Sequence, residues 1–256
     1  MLNELPVVVT LTINGDSKKL SVGKGESLLD ALRNASYFSV KRGCDSGDCG
    51  VCAVLLDGKP VRSCILRAAE AEGRAITTVE GLSKGGKLDP IQQAFLDTGA
   101  IQCGFCTPAQ VLVAKALLDQ NSNPTVEETR DAMSSVLCRC TGYVRTIDAV
   151  LRAAAYLRGE SVGSIVIPQL TLPPESEKPH LPDAYYRHGD HCDPLLPLVF
   201  TPPNMSETHV VGKPQVKVDG EKLVRGRPVF TDDFRLGGML YGALLTSPYA
   251  HAWIKS

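Results

Sequence analysis

The chain has 256 residues, long enough for one large or two small domains. Its 27 Lys and Arg against 28 Asp and Glu leave a formal net charge of -1, which offers no basic surface for nucleic acid or an anionic membrane. No apolar run approaches the roughly 20 residues of a membrane span, and Met1-Leu2-Asn3-Glu4-Leu5-Pro6 has no basic region ahead of an apolar stretch, so no secretory signal is expected.

From the N-terminus, Val7 to Asn14 alternates as a strand does and reaches an Asn14-Gly15 turn, with Leu20 to Val22 as the return strand of a hairpin. Ser27 caps a short helix, Leu28 to Ala35. Ala53 to Leu56, Asp57-Gly58 and Pro60 to Arg62 give a second hairpin signal, and Ile76 to Val79 reads as a last strand. Several short strands crossed by one helix predict a small α+β domain over residues 1–82.

Inside that domain lies Gly43-Cys44-Asp45-Ser46-Gly47-Asp48-Cys49-Gly50-Val51-Cys52, with Cys64 further on. The spacing C-x4-C-x2-C…C is that of plant-type [2Fe–2S] loops. The glycines fit it, because a loop wrapped round an anionic cluster must aim its N–H groups inward through tight, often positive-φ turns. The competing reading is a zinc site, but zinc ribbons pair their cysteines as two C-x2-C units.

Ser83-Lys84-Gly85-Gly86-Lys87 is a linker, lacking the spacing of a phosphate loop. A helical region over residues 88–160 follows. Asp89-Pro90 starts a helix, Ile91 to Asp97, that Gly99 ends. Thr107-Pro108 reads as a cap and first helical residue for Pro108 to Gln120, whose apolar face carries Val111, Leu112, the Lys115 stem and Leu118. Thr125-Val126-Glu127-Glu128 is a capping box for Val126 to Ser135, and Thr146 to Arg158 is a last helix stopped by Gly159. Two cysteine pairs flank the middle helices. Gln102-Cys103-Gly104-Phe105-Cys106 precedes them, and Cys138-Arg139-Cys140-Thr141-Gly142-Tyr143 follows. Thiolates select zinc or iron–sulfur iron, and a C-x-C pair is too tight for the usual structural zinc spacing. Eight of the nine cysteines thus fall in two tight groups. That grouping fits metal ligation in a reducing compartment, and the expected location is cytoplasmic.

Residues 161–209 are crowded with proline (Pro168, Pro173, Pro174, Pro179, Pro182, Pro194, Pro197, Pro202, Pro203) and read as an extended linker. His188, His191 and Cys192 sit within it; solvated imidazoles and a free thiol are the plain reading, a metal site the sharper one.

Both cysteine sets, in this order and on these backgrounds, resemble the iron–sulfur part of the molybdenum hydroxylases, the family of xanthine dehydrogenases, aldehyde oxidoreductases and nicotinate hydroxylases. The likeness runs over residues 5–158 through Gly43–Cys52, Arg62–Cys64, Gln102–Pro108 and Cys138–Tyr143. It implies an α+β chain: a β-grasp ferredoxin-like domain, then a four-helix [2Fe–2S] domain, then the linker and a partial α/β segment. One [2Fe–2S] cluster would lie on Cys44, Cys49, Cys52 and Cys64, and a second on Cys103, Cys106, Cys138 and Cys140. Gln102 would hydrogen-bond the pterin of a molybdenum cofactor held mainly by a large partner chain, and Cys140 would approach its edge.

Residues 210–256, with Gly212-Lys213-Pro214, Phe230 to Asp233 and Ser247 to Ala252, resemble the opening of the molybdenum-binding subunit, of hammerhead type. Too little chain remains there to fold alone, and Leu240, Leu244, Leu245, Tyr249 and Trp253 would be left exposed. Another chain is expected to complete that domain. No paired carboxylates, Ser/His/Asp set or activated thiol appears, so no catalytic residue is expected on this chain. The implied role is the electron-transfer subunit of a xanthine dehydrogenase-like enzyme that hydroxylates an N-heterocycle or aldehyde and passes electrons to a flavin (FAD) subunit or soluble acceptor. The rival classes are a stand-alone two-cluster ferredoxin and a zinc-held interaction module.

Overall fold

The structure, a computed structural model, describes residues 6–163, 215–228, 230–251 and 253. The linker expected over 161–209, with His188, His191 and Cys192, lies almost wholly outside the described residues, as does Gly212-Lys213-Pro214.

Strand β1 (Val7–Ile13) pairs antiparallel with β2 (Asp16–Val22), and the register Ile13↔Asp16 leaves Asn14-Gly15 as a two-residue turn. Both turn residues have positive φ, 54° and 93°, as a type I′ hairpin requires. The return strand is longer than the apolar pattern suggests. Asp16 to Lys19 are polar because β2 is an edge strand, bonded only to β1.

Helix α1 (Leu28–Asn34) starts where Ser27 Oγ accepts the N–H of Asp30 at 3.1 Å. It packs Leu28, Leu29 and Leu32 against Val9, Leu11, Ile13, Val54, Leu56 and Ile76 of the sheet. Strands β3 (Ala53–Leu56) and β4 (Lys59–Arg62) form the second hairpin, and β5 (Ala75–Thr77) lies between β1 and β3 in the order β2-β1-β5-β3-β4. β5 stops at Thr77 rather than Val79. The Asn14 side chain takes the place of a strand neighbour there: Oδ1 accepts from Thr78 N at 2.8 Å and Nδ2 donates to Thr78 Oγ1 at 2.9 Å, and the chain turns through Val79–Gly81.

β3 is buried on both faces. Val54 and Leu56 point into the core under α1, while Ala53 and Leu55 join a second core with the helices that follow. Those helices are α2 (Pro90–Asp97), α3 (Thr107–Gln120), α4 (Val126–Ser134) and α5 (Val144–Leu157). Asp89 and Thr125 make the capping boxes for α2 and α4. Two sequence expectations change here. Cys106, not Thr107, is the cap of α3, with no side-chain bond, and α3 has no single apolar face: Ala109 to Ala114 are buried all round. The reason is position, since α3 touches α2, α4 and α5 as well as β3 and β4. α5 begins two residues before Thr146, entered through Tyr143 in the left-handed conformation, φ 66°.

Among the described residues after 214 there is one short helix, α6 (Gly220–Val224), and a turn at Thr231–Asp233, with no strand. The partial α/β segment expected over 210–256 thus shows no strand among its described residues. Its first part docks instead. Leu223 and Val224 are buried against α2 and α3, and Gln92 Nε2 donates to Val224 O at 2.8 Å. Asp233, 1 % exposed, bonds Lys41 Nζ at 2.5 Å and Arg33 Nη1 at 3.3 Å, and both cations are themselves buried. Burial pushes the Lys41 pKa down against the pull of Asp233. Removing one partner of such a pair strands the others in low dielectric and costs about 3–5 kcal/mol. Asp233→Ala should therefore lower the denaturant midpoint and open the 215–235 stretch to protease. An unchanged midpoint and cleavage pattern would show that the pair holds nothing.

Candidate metal centres

The loop Gly43–Cys52 leaves the α1 region and enters β3, and its backbone is bent by three left-handed residues, Asp45 (φ 59°), Gly47 (84°) and Gly50 (70°). Gly43 is a cradle: a Cβ there would lie 2.6 Å from Cys49 Sγ. Cys49 N donates to Cys44 Sγ at 3.4 Å. That bond, with the hydroxyl and N–H of Ser46, lowers the exposed Cys44 thiol to about 6. Burial pushes Cys49 up, helped by Cys44 and Cys52 nearby. Burial also pushes Cys64 up to about 11, with Cys52 next to it and Cys44 within electrostatic reach. Ser63 Oγ donates to Cys52 O at 2.7 Å and ties the distant Cys64 strand end to the loop.

The second group forms where the α2–α3 connection meets the α4–α5 connection. Burial raises Cys103, with Cys140 and Cys138 adding to it. Burial raises Cys106 strongly, and again Cys138 and Cys103 are the charged neighbours. Cys138 behaves differently. Burial pushes it up, but the Thr141 hydroxyl, 3.2 Å from its sulfur, and the N–H groups of Thr141 and Cys140 outweigh that and leave it lowered.

All eight described thiols are free, and within each expected set neighbouring thiols perturb one another. Cys44 acts on Cys49 and Cys52 on Cys64, and Cys140 acts on Cys103 and Cys138 on Cys106. Among the described residues no three or more His, Cys, Asp or Glu are gathered tightly enough to hold a single ion. Either a zinc ion or a binuclear iron–sulfur cluster would be held by such thiolates.

The comparisons with known proteins agree with this division. Residues 11–82 match a 2Fe-2S iron-sulfur cluster binding domain, and residues 78–151 match a [2Fe-2S] binding domain. The chain is 46 % identical over 149 residues to the nicotinate dehydrogenase small FeS subunit of Eubacterium barkeri, covering 58 % of this chain and 94 % of that one. The chain belongs to the iron–sulfur subunits of the molybdenum hydroxylases.

The xanthine dehydrogenase iron-sulfur-binding subunit of Escherichia coli O157:H7 is 44 % identical over 147 residues, covering 57 % of this chain and 92 % of its own length. The crystal structure of the aldehyde oxidoreductase from Desulfovibrio desulfuricans ATCC 27774 superposes on 88 % of this chain with a TM-score of 0.68 and 35 % identity, although this chain spans only 22 % of it. Both matched domains of the subunit are thus of a [2Fe–2S]-binding kind.

The two loops of this iron–sulfur subunit touch. Leu137 N donates to Cys49 O at 2.8 Å, and Gly50 sits so close to α4 that a Cβ would fall 2.0 Å from Ser135 O. Gln102, Cys103 and Cys140 are exposed. Two residues without an expected role hold the C-x-C turn. Tyr143 OH accepts from Cys138 N at 2.8 Å and donates to Val136 O at 3.2 Å, while Thr141 Oγ1 accepts from Tyr143 N at 3.1 Å. Both stood in view in the Thr-Gly-Tyr that follows Cys140, but only the folded turn shows what they bond.

Two outcomes follow from this geometry. In the cluster-free chain at pH 7, alkylation should modify Cys44 first and Cys106 last, because Cys44 is exposed with a lowered pKa and Cys106 is buried with a raised one; mass spectrometry of a time course reads the order, and equal rates would contradict it. Tyr143→Phe leaves a part-buried N–H and carbonyl without their partner, a loss of about 1–3 kcal/mol, so thermal unfolding should come earlier and iron should leave the second site sooner on challenge with a chelator.

Proposed function

We propose that Cys44, Cys49, Cys52 and Cys64 ligate one cluster in a β-grasp domain spanning residues 1–82, and that Cys103, Cys106, Cys138 and Cys140 ligate the other in a four-helix domain spanning 88–160. The chain is the electron relay of a molybdenum hydroxylase. Bound there, the clusters supply one-electron carriers between a molybdenum–pterin centre on a large partner chain and an acceptor, which is a flavin subunit or a soluble carrier. The relatives act on nicotinate and xanthine by name, and an aldehyde oxidoreductase shares the fold, so the substrate class is an N-heterocycle or an aldehyde.

One observation supports the relay above the others: the 2.8 Å bond from Leu137 N to Cys49 O puts a ligand residue of one site a single hydrogen bond and one residue from Cys138 of the other. The residues of this chain do the positioning. Gly43 and Gly50 let backbone approach sulfur and helix without a Cβ, and Tyr143 and Thr141 fix the Cys138 turn. Gln102 offers a donor and an acceptor on an exposed rim beside Cys103 and Cys140, as a pterin edge would need. The cytoplasm, being reducing, keeps the thiols available for iron.

A stand-alone two-cluster ferredoxin is the second reading, and the tail counts against it. Leu240, Leu244, Leu245 and Trp253 are 90 % exposed or more, which is a surface for a partner rather than for water. We read residues 236–253 as the part of the chain that enters the large subunit.

The order of the relay is open to test in the assembled enzyme. Cys49→Ser should leave substrate reduction of the molybdenum and of the Cys103–Cys140 site intact within one turnover, while steady-state transfer to the acceptor falls steeply. Cys138→Ser should block reduction of the Cys44–Cys64 site by substrate and leave its reduction by dithionite possible. Rapid mixing with site-resolved paramagnetic spectra separates the two. Normal turnover by the Cys49 variant with the natural acceptor would reverse the assignment of the exit site.

A further inference from the structure

Gln110 has a buried amide that the fold leaves unfinished. Its side chain is 0 % exposed on α3, a helix buried over most of its length. Among the described residues only two buried side-chain polar atoms lack a hydrogen-bond partner, and Gln110 Nε2 is one of them. A buried N–H without an acceptor is rare, because it loses water and gains nothing in return.

The nearest acceptor of the right kind is a sulfur. Gln110 N donates to Cys106 O at 3.0 Å, so the two residues are one helical turn apart, and a helical side chain leans toward the N-terminus, here toward Cys106. Cys106 Sγ stands 3.6 Å from Gln110 Oε1. As a thiol, Cys106 donates its proton to that oxygen. Once it binds iron the proton is gone, and the sulfur accepts only. An amide oxygen facing it is then repelled. Turning the terminal amide by half a revolution exchanges N and O without changing the shape of the side chain. The orphan donor then meets the sulfur, and the oxygen takes the position left behind, where an under-satisfied carbonyl is more readily tolerated than an orphan N–H.

We propose that the Gln110 amide donates an N–H···S hydrogen bond to the Cys106 sulfur of the bound cluster and sets that cluster's reduction potential. The inference rests on Cys106 being an iron ligand, as assigned above. Hydrogen bonds to the sulfurs are among the determinants of a cluster's potential. A donor favours the reduced form, because the added electron increases the negative charge on the sulfur. The site is enclosed, so water does not screen the bond. Gln110 is thus a positioning and tuning residue of the helical site, and the Cys44–Cys64 site, in the other domain, lies outside its reach.

Potentiometric titration of the assembled enzyme, with the two paramagnetic signals followed separately, tests this in the wild type, Gln110→Leu and Gln110→Met. Both variants keep about the same volume and remove the donor. The helical site's equilibrium constant for reduction should fall about tenfold, equivalent to a potential about 59 mV lower for one electron, with the other signal unmoved. In enzyme labelled with 15N at glutamine side chains, pulsed paramagnetic spectra should show a nitrogen coupling on the helical signal that both variants lose. An unmoved potential in both variants, or a coupling that survives them, overturns the proposal. Loss of iron from the helical site in both variants also overturns it, because a tuning bond leaves occupancy intact. A wild-type enzyme with a single paramagnetic signal would instead refute the ligand assignment itself, and this inference with it.

Discussion

The hydrogen bond from Leu137 N to Cys49 O is the point on which the two halves of the chain turn. It can form only because residue 50 has no side chain: Ser135 O occupies the space a Cβ would need, and the backbone there has φ 70°, which glycine adopts without strain. The same contact brings a loop with three thiols against the end of α4, one residue before Cys138. β3 fixes the approach over a longer range, since its alternate residues belong to different cores, Val54 and Leu56 to one and Ala53 and Leu55 to the other. The two cores are thus joined through one strand that is buried on both faces.

Within that frame the eight thiols are held in unequal environments. Cys44 and Cys138 receive hydroxyl and backbone N–H groups, which favour the thiolate, whereas Cys49, Cys64, Cys103 and Cys106 are raised by burial. On each side, then, a thiol with a lowered pKa stands near thiols with raised ones. Metal binding at the sites proposed above would deprotonate these thiols, so assembly there would be coupled to proton release.

The C-terminal segment is tied to both domains at once. Asp233 reaches Lys41 and Arg33 on the ferredoxin-like side, while the Phe230 ring meets Phe105 edge to face at 5.3 Å, between Cys103 and Cys106. Leu223 fills the space over Gly104, where a Cβ would lie 2.5 Å from its methyl carbon. The segment thus closes over the C-x2-C loop from outside and leaves the opposite rim, with Gln102 and Cys140, in the open. Anchoring one end of the segment by buried charge and leaving its apolar end exposed gives a fixed point from which residues 236–253 extend.

Much of this was written in local sequence. The Asn14-Gly15 turn, the Ser27, Asp89 and Thr125 caps and the two hairpins depend on residues within a few positions of one another, and backbone geometry at that range follows from side-chain type. The limits of β5 and the surroundings of α3 did not, because they are decided at a distance: Asn14 ends β5 from 64 positions away, and α3 is enclosed by elements drawn from the whole chain. The sequence also named the cysteines without saying how they perturb one another, why Gly50 must be glycine, or that Asp233 would be buried with Arg33 and Lys41 some 200 positions before it. Such contacts join residues that share no local pattern. Only closing the chain into its tertiary structure brings them within reach, and only then does the cost of an unpaired charge or a colliding Cβ decide what stands where.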